Sequence, residues 1–268
     1  MISGWDCHAH VFGPYIHFPL ATDRSYTPPE APLFSYLKHL ERLQLQHGVL
    51  VHPSAYGDDF SLLLNALTAY NQLRGVVVLR HDTQVNLRSL RDKGVRAARF
   101  SHRNGMGGNF AGSASLHDLI SLAPKLAEAG LHAELWTDTQ LLPDIADVVK
   151  ALPIPVVIDH MGGFDVHAGV DSKGFRTLLS LVENGQVWVK LCAYRNLLNV
   201  KDIELGRPFH RALLQAHPER LVWGSDWPHL RVHPEPDTAS LLTTFKIWSE
   251  SDEMVHQILQ INPEVLYN

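Results

Sequence analysis

Cysteine is nearly absent from this chain: its 268 residues include two, Cys7 and Cys192. A disulfide framework is therefore excluded as the source of stability, and a chain of this length does not need one. An excess of positive charge is also missing. The 23 Lys and Arg residues are outnumbered by 28 Asp and Glu, which leaves a formal net charge of -5. That balance offers little to a phosphate backbone or an anionic membrane surface, so neither nucleic acid nor membrane is expected as a partner. No apolar run reaches the length of a membrane span. The first apolar run starts at residue 2, leaving no room for a signal or transit peptide, and a cytoplasmic location is expected. Nothing in the sequence fixes an oligomeric state. No Gly-x-Gly-x-x-Gly follows the first strand, which removes the usual dinucleotide site. Internal repeats, low-complexity tracts and linkers are lacking too, so one domain over residues 1–268 is the simplest organisation. Two things are plentiful. Hydrophobic residues make up 45% of the chain, enough for a sizeable core. Histidine is unusually common at 17, so only placement can single out a functional one.

Apolar and amphipathic runs alternate from end to end. Strands are expected at 2–7, 48–52, 75–79, 95–100, 132–136, 156–159, 187–191 and 220–224. They are short and mostly rich in Val, Ile or Leu, as strands covered on both faces are. Helical periodicity fills the gaps. Leu33, Leu37, Leu40 and Leu43 share one face of 33–46, and Leu63, Leu64, Leu67 and Tyr70 mark 60–73. The helix at 115–129 is expected to end at Gly130, and Asp171 or Ser172 to cap a helix running to Glu183. Eight strands separated by helices predict an α/β fold, a (β/α)8 TIM barrel. Its long connections at 11–32, 102–114 and 194–206 all follow strands, on the face where barrel sites are built. The glycine-rich 102–114 loop is either a lid or an ordinary long loop.

Four residues close strands and carry chemistry. His8 and His10 stand two apart, so their side chains point the same way from a strand. His160 ends the run Val156-Val157-Ile158-Asp159-His160 and precedes Gly162-Gly163. Asp226 sits between Trp223 and Trp227 in Trp223-Gly224-Ser225-Asp226-Trp227-Pro228-His229, where partial desolvation raises a carboxylate pKa and a nearby cation lowers it. First and last strands are neighbours in a closed barrel, so these residues can share one pocket. Other residues have blander readings. His229 either shapes the pocket or faces solvent. Lys190 and Cys192 suit structure better than nucleophilic attack, since no base pairs with the thiol. His52 and His132 suit core packing, and Asp159 is assigned no chemistry.

The pattern as a whole resembles the amidohydrolase superfamily, in its amidohydrolase-related branch, which contains lactonases. The resemblance rests on Asp6-Cys7-His8-Ala9-His10-Val11-Phe12-Gly13-Pro14, Phe18-Pro19, Tyr26-Thr27-Pro28, Val51-His52-Pro53-Ser54, Arg99-Phe100, Ile158-Asp159-His160-Met161-Gly162, Trp188-Val189-Lys190, the tryptophan-flanked Asp226 motif and Asn262-Pro263. These segments run in order along nearly the whole chain. Within the branch, the chain is most similar to lactonases that open 2-pyrone-4,6-dicarboxylate.

That resemblance implies a hydrolase acting on a carboxylated lactone. Asp226 would be the general base toward water, with His8, His10 and His160 around the water and the carbonyl. Tyr26, Ser54, Arg99 and Arg195 would hold the substrate, arginine being suited to carboxylates. The chain also departs from the pattern. A second arginine expected six positions after Arg99 is Gly105, with Arg103 as a potential substitute. A tyrosine at the end of strand five is Trp136, and matching Arg195 needs a one-residue gap. A pyrone dicarboxylate is therefore expected to be a poorer substrate here, with sugar-acid lactones and muconolactones as alternatives. The resemblance implies no metal cofactor. The chemistry of the residues also suits zinc, with His8, His10, His160 and Asp226 as ligands. Two rival functions use the same residues: a zinc-dependent decarboxylase and a non-catalytic binder of small acids.

Overall fold

The computed structural model describes residues 4–104 and 110–268. Eight strands lie in one sheet in chain order: β1 (Trp5–Ala9), β2 (His47–Val51), β3 (Leu73–Val78), β4 (Val95–His102), β5 (His132–Thr137), β6 (Val156–Ile158), β7 (Val187–Leu191) and β8 (Leu221–Trp223). Every sequential pair is parallel. Ala9 bridges to Trp227, the Asp226 amide donates to the His8 carbonyl, and the His10 amide donates to the Trp227 carbonyl. These contacts join the last strand to the first, giving the (β/α)8 barrel expected from the alternating runs.

Helices cover the outside: α1 (Leu33–Leu43), α2 (Ser61–Ala69), α3 (Leu87–Asp92), α4 (Leu116–Ala129), α5 (Leu142–Ala151), α6 (Lys173–Glu183), α7 (Arg207–Ala216), α8 (Thr238–Trp248), α9 (Asp252–His256) and α10 (Asn262–Tyr267). Local chemistry sets their ends. Ser115 and Asp118 form a reciprocal capping box at the start of α4, and Gly130 closes it in the left-handed conformation. The Ser172 side chain caps α6. Two helices stop short of the periodic pattern. Gln44 turns left-handed after α1, and Tyr70 is already extended after α2, so β3 starts at Leu73. No helix among the described residues is long and apolar enough to cross a membrane.

The core has two layers. A large outer layer fills the space between barrel and helices. The barrel interior holds Trp5, Cys7, Val49, Val51, Val76, Ala97, Val157, Trp188 and Val222, with Tyr267 of α10 among them. Strand alternation then carries Arg99, Glu134, Asp159, Lys190 and Gly224 to the same inner face, two residues further along their strands. Strand β1 does not alternate cleanly. Its pairing with β2 slips between Asp6 and Ala9. Cys7 packs in the interior layer, whereas Ala9 packs in the outer one. A bulge of this kind re-aims the following side chains, and here it turns both His8 and His10 inward.

Candidate active site

The β1–β8 seam builds the site. Asp6 is fully buried and accepts from the Ser225 amide (2.7 Å), the Ser225 hydroxyl (2.6 Å) and the Tyr36 hydroxyl (3.2 Å). Burial pushes its carboxyl up to about 6, against the pull of those hydrogen bonds. The clasp fixes the backbone that ends in Asp226, which takes a positive φ of 56°. Gly224 lets the two strands approach closely: a Cβ there would meet the His8 Cβ at 2.6 Å.

The four strand-end residues converge. The Nε2 atoms of His8 and His10 are 3.3 Å apart. Asp226 Oδ1 lies 3.7 Å from the first and 3.6 Å from the second. His160 Nε2 is 3.5 Å from Asp226 Oδ2. Neither ring nitrogen of buried His160 has a hydrogen-bond partner among the described residues. His160 holds a left-handed φ of 50°, a conformation that costs a non-glycine residue energy and aims the ring into the site. Its carbonyl accepts from the Asn196 side chain at 2.8 Å.

Arg195 has its own partner. Its Nε donates to Asp226 Oδ2 at 2.6 Å, and its Nη2 is paired with the same oxygen. Nη1 donates to the Leu230 carbonyl at 2.7 Å. The expected grip on substrate therefore competes with a grip on Asp226. Burial alone would raise the Asp226 carboxyl. Arg195, His160 and His8 override burial and hold it well below the usual carboxylate range. The carboxylate is divided: Oδ2 is taken by Arg195, with the Tyr194 hydroxyl at 3.2 Å, and Oδ1 faces the two histidines.

Beneath lies a charged layer that sequence reading left unassigned. Lys190 Nζ donates to Glu134 Oε2 at 2.5 Å and sits 3.4 Å from Asp159 Oδ1. It also lies 3.1 Å from His8 Nδ1. Asp159 Oδ2 accepts from Arg99 Nε at 2.7 Å. Burial would raise Asp159, but Lys190 and Arg99 hold it well below the ordinary range. Glu134 Oε1 accepts from the Tyr267 hydroxyl at 3.0 Å. The available signal was a charged residue inside each of three apolar strands, which a buried chain tolerates only when it is paired.

The neighbours of the two rings bear on their tautomers. Burial and Lys190 push the His8 imidazole well down, and burial pushes His10 down to about 4. Both rings are therefore neutral near pH 7, with one donor and one acceptor each. An ammonium only donates, so the Lys190 contact at His8 Nδ1 calls for the proton on Nε2, whereas Asp159 Oδ1, 3.6 Å from the same nitrogen, calls for it on Nδ1. A carbonyl only accepts, so Val51, 2.8 Å from His10 Nδ1, leaves His10 Nε2 as the acceptor. With its proton on Nε2, His8 donates toward His10 Nε2, 3.3 Å away.

Above the four residues opens a cavity of about 270 Å³. His10, Tyr26, Ser54, Arg99, Trp136, His160, Arg195 and Asp226 are among its lining residues, so the expected substrate contacts are gathered there. Arg231 lines it too and was not foreseen. Its guanidinium lies 4.9 Å from the Tyr26 ring, and it has no carboxylate partner among the described residues. Burial pushes the Tyr26 phenol up, while Ser54, Arg99 and Arg231 pull it back. Trp136 stacks with Arg99 at 5.2 Å and Arg103 at 4.4 Å. Arg103 is not a free substitute for an arginine at position 105: Asp138 holds it through Nε and Nη2, at 2.9 and 2.6 Å. Gly105 and most of the glycine-rich run, residues 105–109, lie outside the described residues.

The remaining expectations fall to packing. His229 is buried, bonded to the Tyr194 hydroxyl at 2.9 Å and to Thr238 at 2.6 Å. His132 packs against Tyr267 at the interior base, and His52 bonds the Gly57 carbonyl at 2.9 Å while lining the cavity. Burial pushes the Cys192 thiol well up, which suits an inert cysteine. His8, His10 and Asp226 offer ligand atoms within 4.8 Å of one another, and His160 with Cys192 and Asp226 forms a second such group. In type and spacing these donors fit a divalent metal.

Known proteins resemble this chain in sequence and fold. The 4-sulfomuconolactone hydrolase of Rhizobium radiobacter is 33% identical over 274 residues, covering 99% of this chain and 90% of its own. The 2-pyrone-4,6-dicarboxylate hydrolase of Comamonas testosteroni is 31% identical over 279 residues, covering 98% and 89%. A crystal structure of a probable 2-pyrone-4,6-dicarboxylic acid hydrolase from Acinetobacter baumannii, with citric acid bound, aligns with a TM-score of 0.84 at 25% identity and covers 99% of both chains. With residues 5–268 matching the amidohydrolase family end to end, the chain belongs to that family.

Proposed function

We propose that this protein is a hydrolase that opens a lactone bearing anionic groups, with Asp226 as general base. The observation that carries the reading is the divided carboxylate of a cavity-lining residue, with Oδ2 engaged by Arg195 and Oδ1 facing the Nε2 atoms of His8 and His10 without a hydrogen bond to either. Relatives that act on sulfonated and carboxylated lactones, and a structural neighbour that holds citric acid, support an anionic substrate. Asp226 Oδ1 takes a proton from water as the water oxygen bonds the lactone carbonyl carbon. His8 Nε2–H and His160 donate to the developing oxyanion. The ring C–O bond then breaks, and Asp226 returns the proton to the departing oxygen. His10, as an acceptor at Nε2, suits orienting the water rather than stabilising the oxyanion.

Among the described residues Asp159 bonds Arg99 through Nε, and no partner is seen for either Nη group, which suits them to the substrate. Arg231, which lines the same cavity beside the Tyr26 ring, is the second anion contact, and Tyr26 and Ser54 line it too. A divalent metal, if held by His8, His10, His160 and Asp226, would supply Lewis-acid polarisation of the carbonyl. The proposed route does not require it.

The test compares kcat/KM for 2-pyrone-4,6-dicarboxylate, 4-sulfomuconolactone, a monocarboxylate muconolactone and an uncharged sugar lactone. Wild type is expected to prefer the anionic rings. Arg99→Met is expected to lose roughly ten- to a hundredfold on them, the worth of one charge-assisted pair. Arg231→Met, being exposed, is expected to lose about tenfold or less. Neither should change turnover of the uncharged lactone. A wild-type preference for the uncharged lactone, untouched by either substitution, would refute the anion grip and favour a sugar lactonase.

A further inference from the structure

The proposed mechanism uses a proton on His8 Nε2, and a neutral imidazole can carry its proton on either nitrogen. The choice is made beneath the site. Lys190 is 1% exposed and is held between Glu134 and Asp159, both fully buried. Its Nζ reaches His8 Nδ1 at 3.1 Å, while Asp159 Oδ1 is further from that nitrogen at 3.6 Å. The two neighbours ask for opposite tautomers. A carboxylate on Nδ1 calls for a proton there, which bares Nε2 as a lone pair, the state a metal ligand needs. An ammonium on Nδ1 calls for the reverse.

We propose that Lys190 is a positioning residue that locks His8 in its Nε2–H tautomer and so withholds the His8 Nε2 lone pair that a metal ligand needs. The inference rests on the lactone-opening reading only for its catalytic consequence. The lock itself is a property of the resting protein. It extends one step further: His8 Nε2–H points at His10 Nε2, and Val51 keeps the His10 proton on Nδ1. Lys190, His8, His10 and the Val51 carbonyl thus form one chain of donors running the same way. Without the ammonium, Asp159 is the remaining partner of His8 Nδ1, and the His8 proton moves to that side. His8 and His10 then both show lone pairs to Asp226.

Nitrogen-15 NMR of histidine-labelled protein at pH 7.5 reads the tautomer directly. In wild type, His8, assigned through His8→Gln, is expected to show a protonated Nε2 and an acceptor-type Nδ1. In Lys190→Met the pattern is expected to reverse. Lys190→Met/Glu134→Leu serves the same purpose if the single variant does not fold, since it removes the carboxylate left without its cation. Zinc binding by equilibrium dialysis is the second readout, with at least a tenfold gain expected in whichever variant folds. A protonated Nδ1 in wild-type His8 would overturn the lock, whatever the lactonase assays give. Tighter zinc binding without a tautomer change would overturn it too, because loss of one positive charge would then suffice. Conversely, a confirmed lock in a protein that opens no lactone would leave this inference standing and end only the functional reading.

Discussion

The two oxygens of Asp226 do different things, and that division separates a base from a structural carboxylate. Oδ2 accepts from Arg195 and keeps the group ionised, whereas Oδ1 meets imidazole nitrogens at distances too long for hydrogen bonds. Asparagine in its place keeps the shape but cannot accept a proton. Asp226→Asn is expected to lower kcat by at least ~10²-fold, the low end for general-base catalysis. It also leaves the Arg195 guanidinium facing an amide, so the melting temperature should fall, by about 1–3 kcal/mol of stability for an uncompensated, partly buried charge. Steady-state kinetics and thermal melts of Asp226→Asn and Asp226→Asn/Arg195→Met separate the two effects. The double variant should recover stability and not activity. Near-normal turnover in the single variant would remove Asp226 from the chemistry. At this scale sequence reading singled out four residues that the structure places side by side, because each ends an apolar run. It did not find Glu134, Lys190 or Asp159 as a network, since nothing local tells a lone charge which partner lies across a barrel. It also could not show that Arg195 turns to Asp226, or that Arg231 reaches the cavity, since loop paths are set by tertiary contacts.

At the scale of elements, the seam between β1 and β8 is where precision is needed. Strand positions were legible because buried parallel strands are short apolar runs, and the β4, β6 and β7 starts match the expected ones at Val95, Val156 and Val187. Strand β1 was less legible: it runs to Ala9 instead of Cys7. A bulge has no signature in hydropathy, yet here it allows Cys7 to fill the interior while His8 and His10 face Asp226. Gly224 is the matching device on β8. Its missing side chain lets His8 lie against the strand, since a Cβ would come within 2.6 Å of the His8 Cβ and 3.0 Å of its backbone nitrogen. Gly224→Ala must therefore push β1 and β8 apart, and neither atom belongs to a flexible side-chain end. The expected result is a folded barrel with circular dichroism like wild type and a kcat at least ~10-fold lower, through displacement of His8 from Asp226. The same substitution at Gly169, where a Cβ would meet nothing within 4 Å, controls for a general glycine effect, although its positive φ adds some strain. Equal losses from the two would show that the close approach does not matter.

The whole molecule stores an unusual number of neutral imidazoles, and this sets how it meets acid. Burial pushes His39, His52, His210 and His229 down to about 4, like His10, and His132 down to about 3. In the unfolded chain each titrates near 6.5. Between those values the unfolded state binds protons that the folded state refuses, so folding stability falls as pH drops from about 6.5 toward 4. Asp6 works the other way. Its folded pKa of about 6 lies above the unfolded value, so protonation of Asp6 adds stability as pH falls from about 6 to below 4. One carboxyl cannot offset six imidazoles. Asp159 and Asp226, held well below the ordinary range, contribute stability that is present at neutral pH and disappears only below about 4. The melting temperature is therefore expected to be flat from pH 8 to 7, to fall steadily from 6.5 to 4, and to fall further below that. His210 isolates the cause. It is buried against Phe245 and Trp248, and its Nε2 has no partner among the described residues. His210→Phe should raise the melting temperature at pH 5 more than at pH 8, because it removes one proton-binding site from the unfolded state. A wild-type melting temperature that holds or rises between pH 6.5 and 5 would mean that these rings are protonated in the folded protein. It would also undercut the neutral His8 and His10 on which the donor chain depends.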